Sequence, residues 1–332
     1  MNKFSYGLVA ILLLTVTSSL SAQTKASANK KSTFDKSLAP FMLKVDQHSI
    51  PYKRFMHSAL PGQVLEFEKL AQAQIELYVE SNDYSEKGKD ETTGEKLQWN
   101  NNKAQWQLPN NAGNYRLVAR GQKGQSIELT VFVLEPAANI RKGKLNGYAI
   151  GAYPKALRGL ASYQAPQGFI KVTPENKELY LSPHFQLKQF LCKQKSGYPK
   201  YLVVKKELVW ALENLLAEVN GKGLAANRLV VMSGYRTPSY NKVIGSAKHS
   251  RHLYGDAADV YLDVSPVDGV MDDINADGKV NKKDAQQLYR WAEELGEKLI
   301  HDKMVGGLGA YKANAYHGPF LHLDLRGYKA RW

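Results

Sequence analysis

Ser250-Arg251-His252-Leu253-Tyr254-Gly255-Asp256-Ala257-Ala258-Asp259 sets an imidazole seven residues ahead of a carboxylate, with one glycine and two alanines between them. That separation is too long for neighbouring turns of one helix, and Gly255 argues against a helix. A bend at the glycine followed by an extended run through Asp259-Val260-Tyr261-Leu262 fits better. Ala257 and Ala258 leave room beside the carboxylate. Zinc accepts imidazole nitrogen and carboxylate oxygen at about 2.0–2.2 Å, and a catalytic site keeps one position open. His252 and Asp259 are therefore read as two ligands of such an ion.

The third is sought near the C-terminus. Phe320-Leu321-His322-Leu323-Asp324-Leu325 alternates cleanly, so the leucines share one face of a strand and Phe320, His322 and Asp324 the other. An imidazole and a carboxylate on an otherwise greasy strand are costly unless paired or coordinated. A single His near an Asp is more often an ordinary hydrogen-bonded pair; the two segments taken together favour a metal. Upstream, Arg228 through Met232 reads as a buried strand that delivers Ser233-Gly234-Tyr235-Arg236-Thr237-Pro238. The Arg236 fork suits a carboxylate, its alternative being a structural salt bridge.

The pattern S-x-H-x-x-G-x-A-x-D, with the Ser233-Gly234-Tyr235-Arg236 turn before it, Phe320 to Asp324 after it and a terminal Arg331-Trp332, resembles the zinc D-Ala-D-Ala carboxypeptidases. These are the VanX/VanY-like peptidases of cell-wall peptides, which share a fold with the hedgehog signalling domain. The resemblance covers roughly residues 145–332, and its Ile-Gly-x-Tyr-Pro segment is matched at Ile150 to Pro154. It implies His252, Asp259 and His322 as zinc ligands, Arg236 as a clamp on a substrate carboxylate, and hydrolysis by a zinc-activated water. Ser250 and Tyr254, which flank His252, are assigned to the substrate. Many relatives carry an acid three residues before the last ligand; here that residue is Pro319. Asp324, which could also orient His322, and His317 are the candidates for the general base.

A second metal grammar lies between the ligands. Asp273-Ile274-Asn275-Ala276-Asp277-Gly278-Lys279-Val280-Asn281-Lys282-Lys283-Asp284 places oxygen side chains at loop positions 1, 3, 5, 9 and 12 and glycine at 6. Asp273, Asn275, Asp277, Lys279 (through its carbonyl), Asn281 and Asp284 are read as ligands of a structural calcium ion. Aspartate at position 12 resembles the dockerin loops, and the incoming helix of a full EF-hand is missing. An Asp/Asn-rich turn without an ion is the plainer alternative.

Residues 1–22 read as a signal peptide: Lys3 gives the positive start, Leu8 to Val16 an apolar core, and Ser19-Leu20-Ser21-Ala22 small residues for cleavage. The apolar run falls short of the roughly 20 residues a membrane span needs. The expected location is the periplasm or cell envelope, and the mature chain, expected to be monomeric, has no transmembrane segment. The formal charge of +14 implies an anionic partner. Export disfavours nucleic acid and favours peptidoglycan. With Cys192 the only cysteine, no internal disulfide is possible.

The expected fold class is α+β. Residues 23–37 are a polar tether. Residues 38–136 form an immunoglobulin-like β-sandwich by pattern, with a long exposed loop at 81–105, a hairpin around Gly121 to Gly124, and Gly113-Asn114-Tyr115 resembling a tyrosine corner. His48 and His57 there read as structural or surface residues. Residues 137–175 connect to a hedgehog/D-Ala-D-Ala peptidase-type zinc domain at 176–332. Ser182-Pro183 has the signature of a helix start, and Leu208, Leu212, Leu215, Leu216 and Val219 recur at helical spacing until Gly221. The leading functional expectation is a zinc peptidase of peptidoglycan stem peptides or cross-links. The alternative is a non-hydrolytic wall-binding protein with a structural or vestigial metal site, supported by the missing acid at position 319.

Overall fold

Period-two alternation builds the N-terminal part. In the computed structural model, which describes residues 34–80, 94–298 and 306–332, Leu77 and Val79 point inward from the strand Glu76–Glu80. The strands Gly113–Arg120 and Ser126–Val133 pair antiparallel as the expected hairpin. They belong to a five-stranded sheet in which Arg54–Ala59 runs parallel to Ser126–Val133. A four-stranded sheet carries Leu43–Val45, Val64–Lys69 and Lys103–Gln107. Trp106 of the second sheet meets Tyr115 of the first edge-on at 5.5 Å, so the sheets face one another across a core.

The stretch 81–105 is not one long loop. Residues 81–93 lie outside the described residues, but Glu95–Leu97 and Lys103–Gln107 are strands. Lys103, Gln105 and Gln107 are exposed while Ala104 and Trp106 are buried. With alanine as one of only two inward residues, the alternation is easily missed. The stretch read as a signal peptide, and the part of the expected tether up to residue 33, also lie outside the described residues.

Ser182-Pro183 starts no helix; the next helical turn is a short 3-10 segment, Leu187–Phe190. The Ser182 hydroxyl is spent elsewhere, donating to Glu213 Oε1 at 2.6 Å, while His184 Nδ1 lies 2.7 Å from Oε2 of the same carboxylate. Glu213 is buried in the middle of helix α1 (Lys206–Gly221), on the face that carries Leu212 and Leu216. Its charge is satisfied by these partners and by the His184 amide at 2.8 Å.

The second half is α+β. A five-stranded sheet has the spatial order Val230–Ser233, Ala257–Tyr261, Phe320–Asp324, Gly307–Tyr311, Ala330–Arg331. Helix α3 (Lys282–Lys298) packs on the strands Gly307–Tyr311 and Phe320–Asp324 and against α1, burying Ala285, Leu288, Trp291 and Ala292. The short helix α2 (Pro238–Val243) starts at Thr237, whose Oγ1 accepts from the Tyr240 amide at 3.1 Å with proline in the first turn. One apolar cluster runs through both halves, from Leu43 to Leu323. The halves are also stitched by Thr130 Oγ1 to the Tyr180 carbonyl (3.2 Å) and Asn176 Nδ2 to Asn114 Oδ1 (3.0 Å).

Candidate metal centre

The turn that carries His252 is set by glycine and by charge. Arg251–Tyr254 makes one 3-10 turn, closed by Gly255 at φ +70°. A Cβ at Gly255 would stand 2.6 Å from the Val203 carbonyl, so this close approach requires glycine. Asp256, wholly buried, then accepts from Arg251 Nε at 3.0 Å, from Arg251 Nη2, and from Lys205 Nζ at 2.9 Å. From there the chain runs as the strand Ala257–Tyr261.

Sheet register does the rest. Asp259 pairs with Ser233 on one side and His322 on the other, and His322 pairs onward with Gly309. His252, Asp259 and His322 thus converge, with their ligand atoms all within 4.8 Å of one another. Asp259 Oδ1 lies 3.3 Å from His252 Nε2 and 2.8 Å from His322 Nδ1. The remaining nitrogens are held from behind. His252 Nδ1 meets the Gly234 carbonyl at 2.6 Å, and His322 Nε2 meets Asp324 Oδ2 at 3.0 Å. A carbonyl and an ionised carboxylate only accept, so the proton sits on each of these outer nitrogens. Once the inner nitrogen of His322 gives up its proton, the inner lone pairs of both rings are left for a common point. Two imidazoles and a carboxylate presented this way fit zinc, with a fourth position open toward the cavity.

The electrostatics agree. Burial alone would raise the Asp259 carboxyl, but His252 and His322 hold it well below the usual carboxylate range. Burial lowers His252. It also pulls on His322, yet the carboxylates of Asp259 and Asp324 outweigh it and raise that ring to about 9.

Ser250 lines the cavity over these ligands, a space of about 400 Å³ walled also by Arg236, Ser246, His249, Arg326 and Trp332. Arg236 is anchored by two of its nitrogens, Nη2 at 2.8 Å from Asp259 Oδ2 and Nε donating to Ser233 Oγ at 3.0 Å, while its Nη1 has only Ser246 Oγ at 3.4 Å. Asp324 faces the far nitrogen of His322, not the open position. Both its oxygens are taken by Arg326 (Nε–Oδ1 2.9 Å, Nη2–Oδ2 2.6 Å), and the Gly307 amide adds a bond at 3.0 Å. It orients the imidazole. Tyr254 points away from the cavity, buried between Tyr153 and Tyr163 at 6.0 and 5.4 Å, because Gly255 turns the chain immediately after it. His317 lies in an adjoining groove, its ring nitrogens at 2.8 Å from Asn314 Nδ2 and the Gly318 carbonyl.

The calcium-type loop is organised by its own backbone. Asp273 accepts from the amides of Asp277 and Gly278, Asn275 from Asp277, and Asp284 from Ile274, Asn275 and Asn281. Asn281 Oδ1 caps α3 by accepting from the Lys283 amide, and Asp284 Oδ2 accepts in turn from the Asn281 amide at 2.8 Å. Gly278 at φ +80° makes the sharp turn. The Lys279 carbonyl takes the Asn281 side-chain amide at 3.1 Å.

Sequence reasoning passed over His249, Arg326 and Tyr311. His249 Nδ1 is sealed without a partner, while among the described residues no hydrogen bond engages Nε2. It is the non-ligand imidazole on the cavity wall, three residues before His252. Trp332, noted only as part of a terminal dipeptide, lies over His322 at 5.4 Å between ring centroids and donates to the Tyr311 hydroxyl. Gly309, beneath it, has no side chain to hinder the indole.

Residues 183–270 match the family described as Peptidase M15, a stretch that contains His252 and Asp259. The match supports an M15 peptidase in this part of the chain. No curated protein matches. Among solved structures, the chain is matched by the ASH / PapD-like domain of human CEP192 (PapD-like domain 7) at 15% identity. That match covers 40% of this chain and 99% of that one with a TM-score of 0.12, which carries no argument about fold. Among the described residues no helix is long and apolar enough to cross a membrane.

Proposed function

We propose that the chain is an exported zinc metallopeptidase acting on peptidoglycan stem peptides or cross-links. The observation that carries this reading is the pair of imidazoles whose outer nitrogens are engaged by Gly234 and Asp324 while their inner nitrogens meet Asp259. His252 Nε2, His322 Nδ1 and Asp259 would hold the ion. When bound, zinc supplies Lewis acidity to a water and to the scissile carbonyl. Asp324, locked by Arg326, fixes the His322 tautomer. Arg236 holds the second oxygen of Asp259 and so directs the first toward the ligand point. Trp332 and Phe320 give the cavity its apolar wall. His249 is the proton carrier: with Nδ1 sealed, it exchanges protons with the cavity only at Nε2.

The test is metal analysis of protein purified without added metal, followed by incubation with muropeptides with and without chelator. Close to one zinc per chain, and products that vanish on chelation and return with zinc, are expected. A second reading, a wall-binding module with a structural ion, is favoured by Pro319 and by the full engagement of Asp324. Muropeptide binding without products in the presence of zinc would establish it instead. The loop 273–284 is read as a structural calcium site. Calcium should raise the melting temperature of metal-stripped protein, and no change on adding it would count against the site.

A further inference from the structure

We infer that a basic patch beside the cavity docks on an anionic membrane surface, with an aliphatic tip set between the lipid headgroups. The inference stands apart from the metallopeptidase reading, because docking needs no metal, and it adds a partner which that reading does not name.

The first observation is one of charge. From Arg141 to Lys206 the sequence sets 13 basic residues against two acids, Glu175 and Glu178, a net +11 within a chain of +14. Three segments bring part of that excess together. One is the hairpin of Lys144–Leu145 and Tyr148–Ala149. The Ala149 carbonyl accepts from Gln194 Nε2 at 3.1 Å, and Gln194 Oε1 accepts from Thr237 Oγ1 at 2.7 Å, at the start of α2. The Ser239 amide of α2 donates to the Ile150 carbonyl at 3.0 Å. Hairpin, loop and helix are thus tied through one glutamine. Lys142 and Lys144 belong to the first segment, Lys193 and Lys195 to the second, Lys242 and Lys248 to the third (238–248). All six are exposed, and none of the three segments carries an acid. Among the described residues no ion pair engages any of the six. Cations gathered without counter-charges repel one another and draw an anionic surface.

The second observation is apolar and lies within the first. Helix α2 ends at Val243 and Ile244, between Lys242 and Lys248, and Gly245 at φ +64° turns the chain back. Val243 is 82% exposed, the most of any aliphatic side chain among the described residues, and Ile244 is 45% exposed. The tip is braced from below, because buried Asn241 donates to the Ala247 carbonyl at 3.0 Å. Tyr198, 40% exposed, stands in the loop of Lys193 and Lys195, with Lys200 Nζ 5.3 Å from its ring centre. A soluble polyanion would engage the lysines and leave Val243 and Ile244 in water. A bilayer surface engages both kinds of group: phosphates meet the ammonium heads, while aliphatic and phenol side chains settle at the headgroup boundary. Ser246 and Ala247, just after the tip, line the metal cavity, and Lys193 and Ile244 line the adjoining groove. Docking therefore brings the cavity wall close to the headgroups.

The experiment is flotation of the metal-free mature chain with vesicles of phosphatidylglycerol and phosphatidylcholine, with vesicles of phosphatidylcholine alone, and a parallel binding assay with soluble polyphosphate. Binding to the anionic vesicles is expected, weakened by salt, with little binding to phosphatidylcholine. Each lysine near such a surface contributes about fivefold, so Lys193→Gln with Lys242→Gln should lower vesicle binding about 25-fold. Val243→Ser with Ile244→Ser should lower it about tenfold and leave polyphosphate binding as it was. Lys123→Gln, at an exposed turn of the β-sandwich, is the matched control and should change binding less than about twofold. Absence of vesicle binding at low salt, or an equal loss from Lys123→Gln, overturns the inference. So does vesicle binding indifferent to the Val243 and Ile244 changes, which would assign the patch to a soluble polyanion. Peptide cleavage is not read in these assays, so their failure and the failure of the metallopeptidase reading are told apart.

Discussion

Asp256→Ala should be among the most damaging single changes available outside the ligands, and its cost can be worked from the structure. Asp256 is fully buried and takes two donors of Arg251, whose side chain is 1% exposed. Removing the carboxylate strands a guanidinium that already has one sealed, unpartnered nitrogen. Stacking on Tyr163 and Tyr254, at 4.2 and 4.7 Å, persists in the variant and so compensates nothing. Lys205, which is 41% exposed, can turn to water, and its share is small. Breaking a buried pair from one side costs about 3–5 kcal/mol. At about 2.1 cal/mol/K per residue over roughly 300 residues, that is a fall of about 5–8 °C in Tm. Removing both charges, as in Arg251→Met with Asp256→Leu, should recover most of the loss. Chemical denaturation of the two singles and the double forms the cycle. A single variant within 1 kcal/mol of the parent, or a double variant no better than the single, would refute the reasoning. Because the pair frames the turn before Asp259, zinc affinity should fall alongside stability.

Three other outcomes follow from the geometry. Burial, with a smaller contribution from Lys206, lowers His57 from its ordinary 6.5 to about 4, against the opposing pull of Asp46. A depressed folded pKa gives stability that is present above 6.5 and lost as pH falls toward 4, here about 3 kcal/mol. His57→Phe should flatten the stability profile between pH 7 and pH 4, and an unchanged slope would sink the assignment. In the metal-free protein His322 carries the opposite sign: raised to about 9, its contribution is complete below 6.5 and lost as pH rises through 9. Zinc uptake at pH 7.5 should therefore release close to one proton, read by calorimetry in two buffers of different ionisation enthalpy. Gly309→Val should cost little stability, because the atoms it meets belong to the half-exposed Trp332 side chain. It should nevertheless shift tryptophan fluorescence as the indole leaves His322; an unaltered spectrum contradicts that placement.

How much could be read in advance depended on the range of the interaction. The bend at Gly255 and the alternation in Phe320 to Asp324 are local, set by backbone freedom and period, and both stand in the structure. Ser182-Pro183 has equally local signals, yet no helix begins there. The competing partner is Glu213, 31 residues away on α1, which a capping rule cannot see. Asp324 was ambiguous for a similar reason. Its place on the His322 face was legible, but its engagement by Arg326 depends on how the chain turns after the strand. Trp332 and His249 were invisible as site residues because each reaches the cavity through register and packing, not through spacing.

The same three aspartates that organise the site also hold the arginines of its wall. Asp259 binds Arg236, Asp256 binds Arg251 and Asp324 binds Arg326. The carboxylate that meets His322 is thus itself held by Arg326. Arg326→Gln tests that link: it leaves Asp324 able to accept from His322, so zinc affinity should fall as the imidazole loosens. Unchanged zinc affinity in that variant would mean that the contact between His322 and Asp324 needs no support from Arg326.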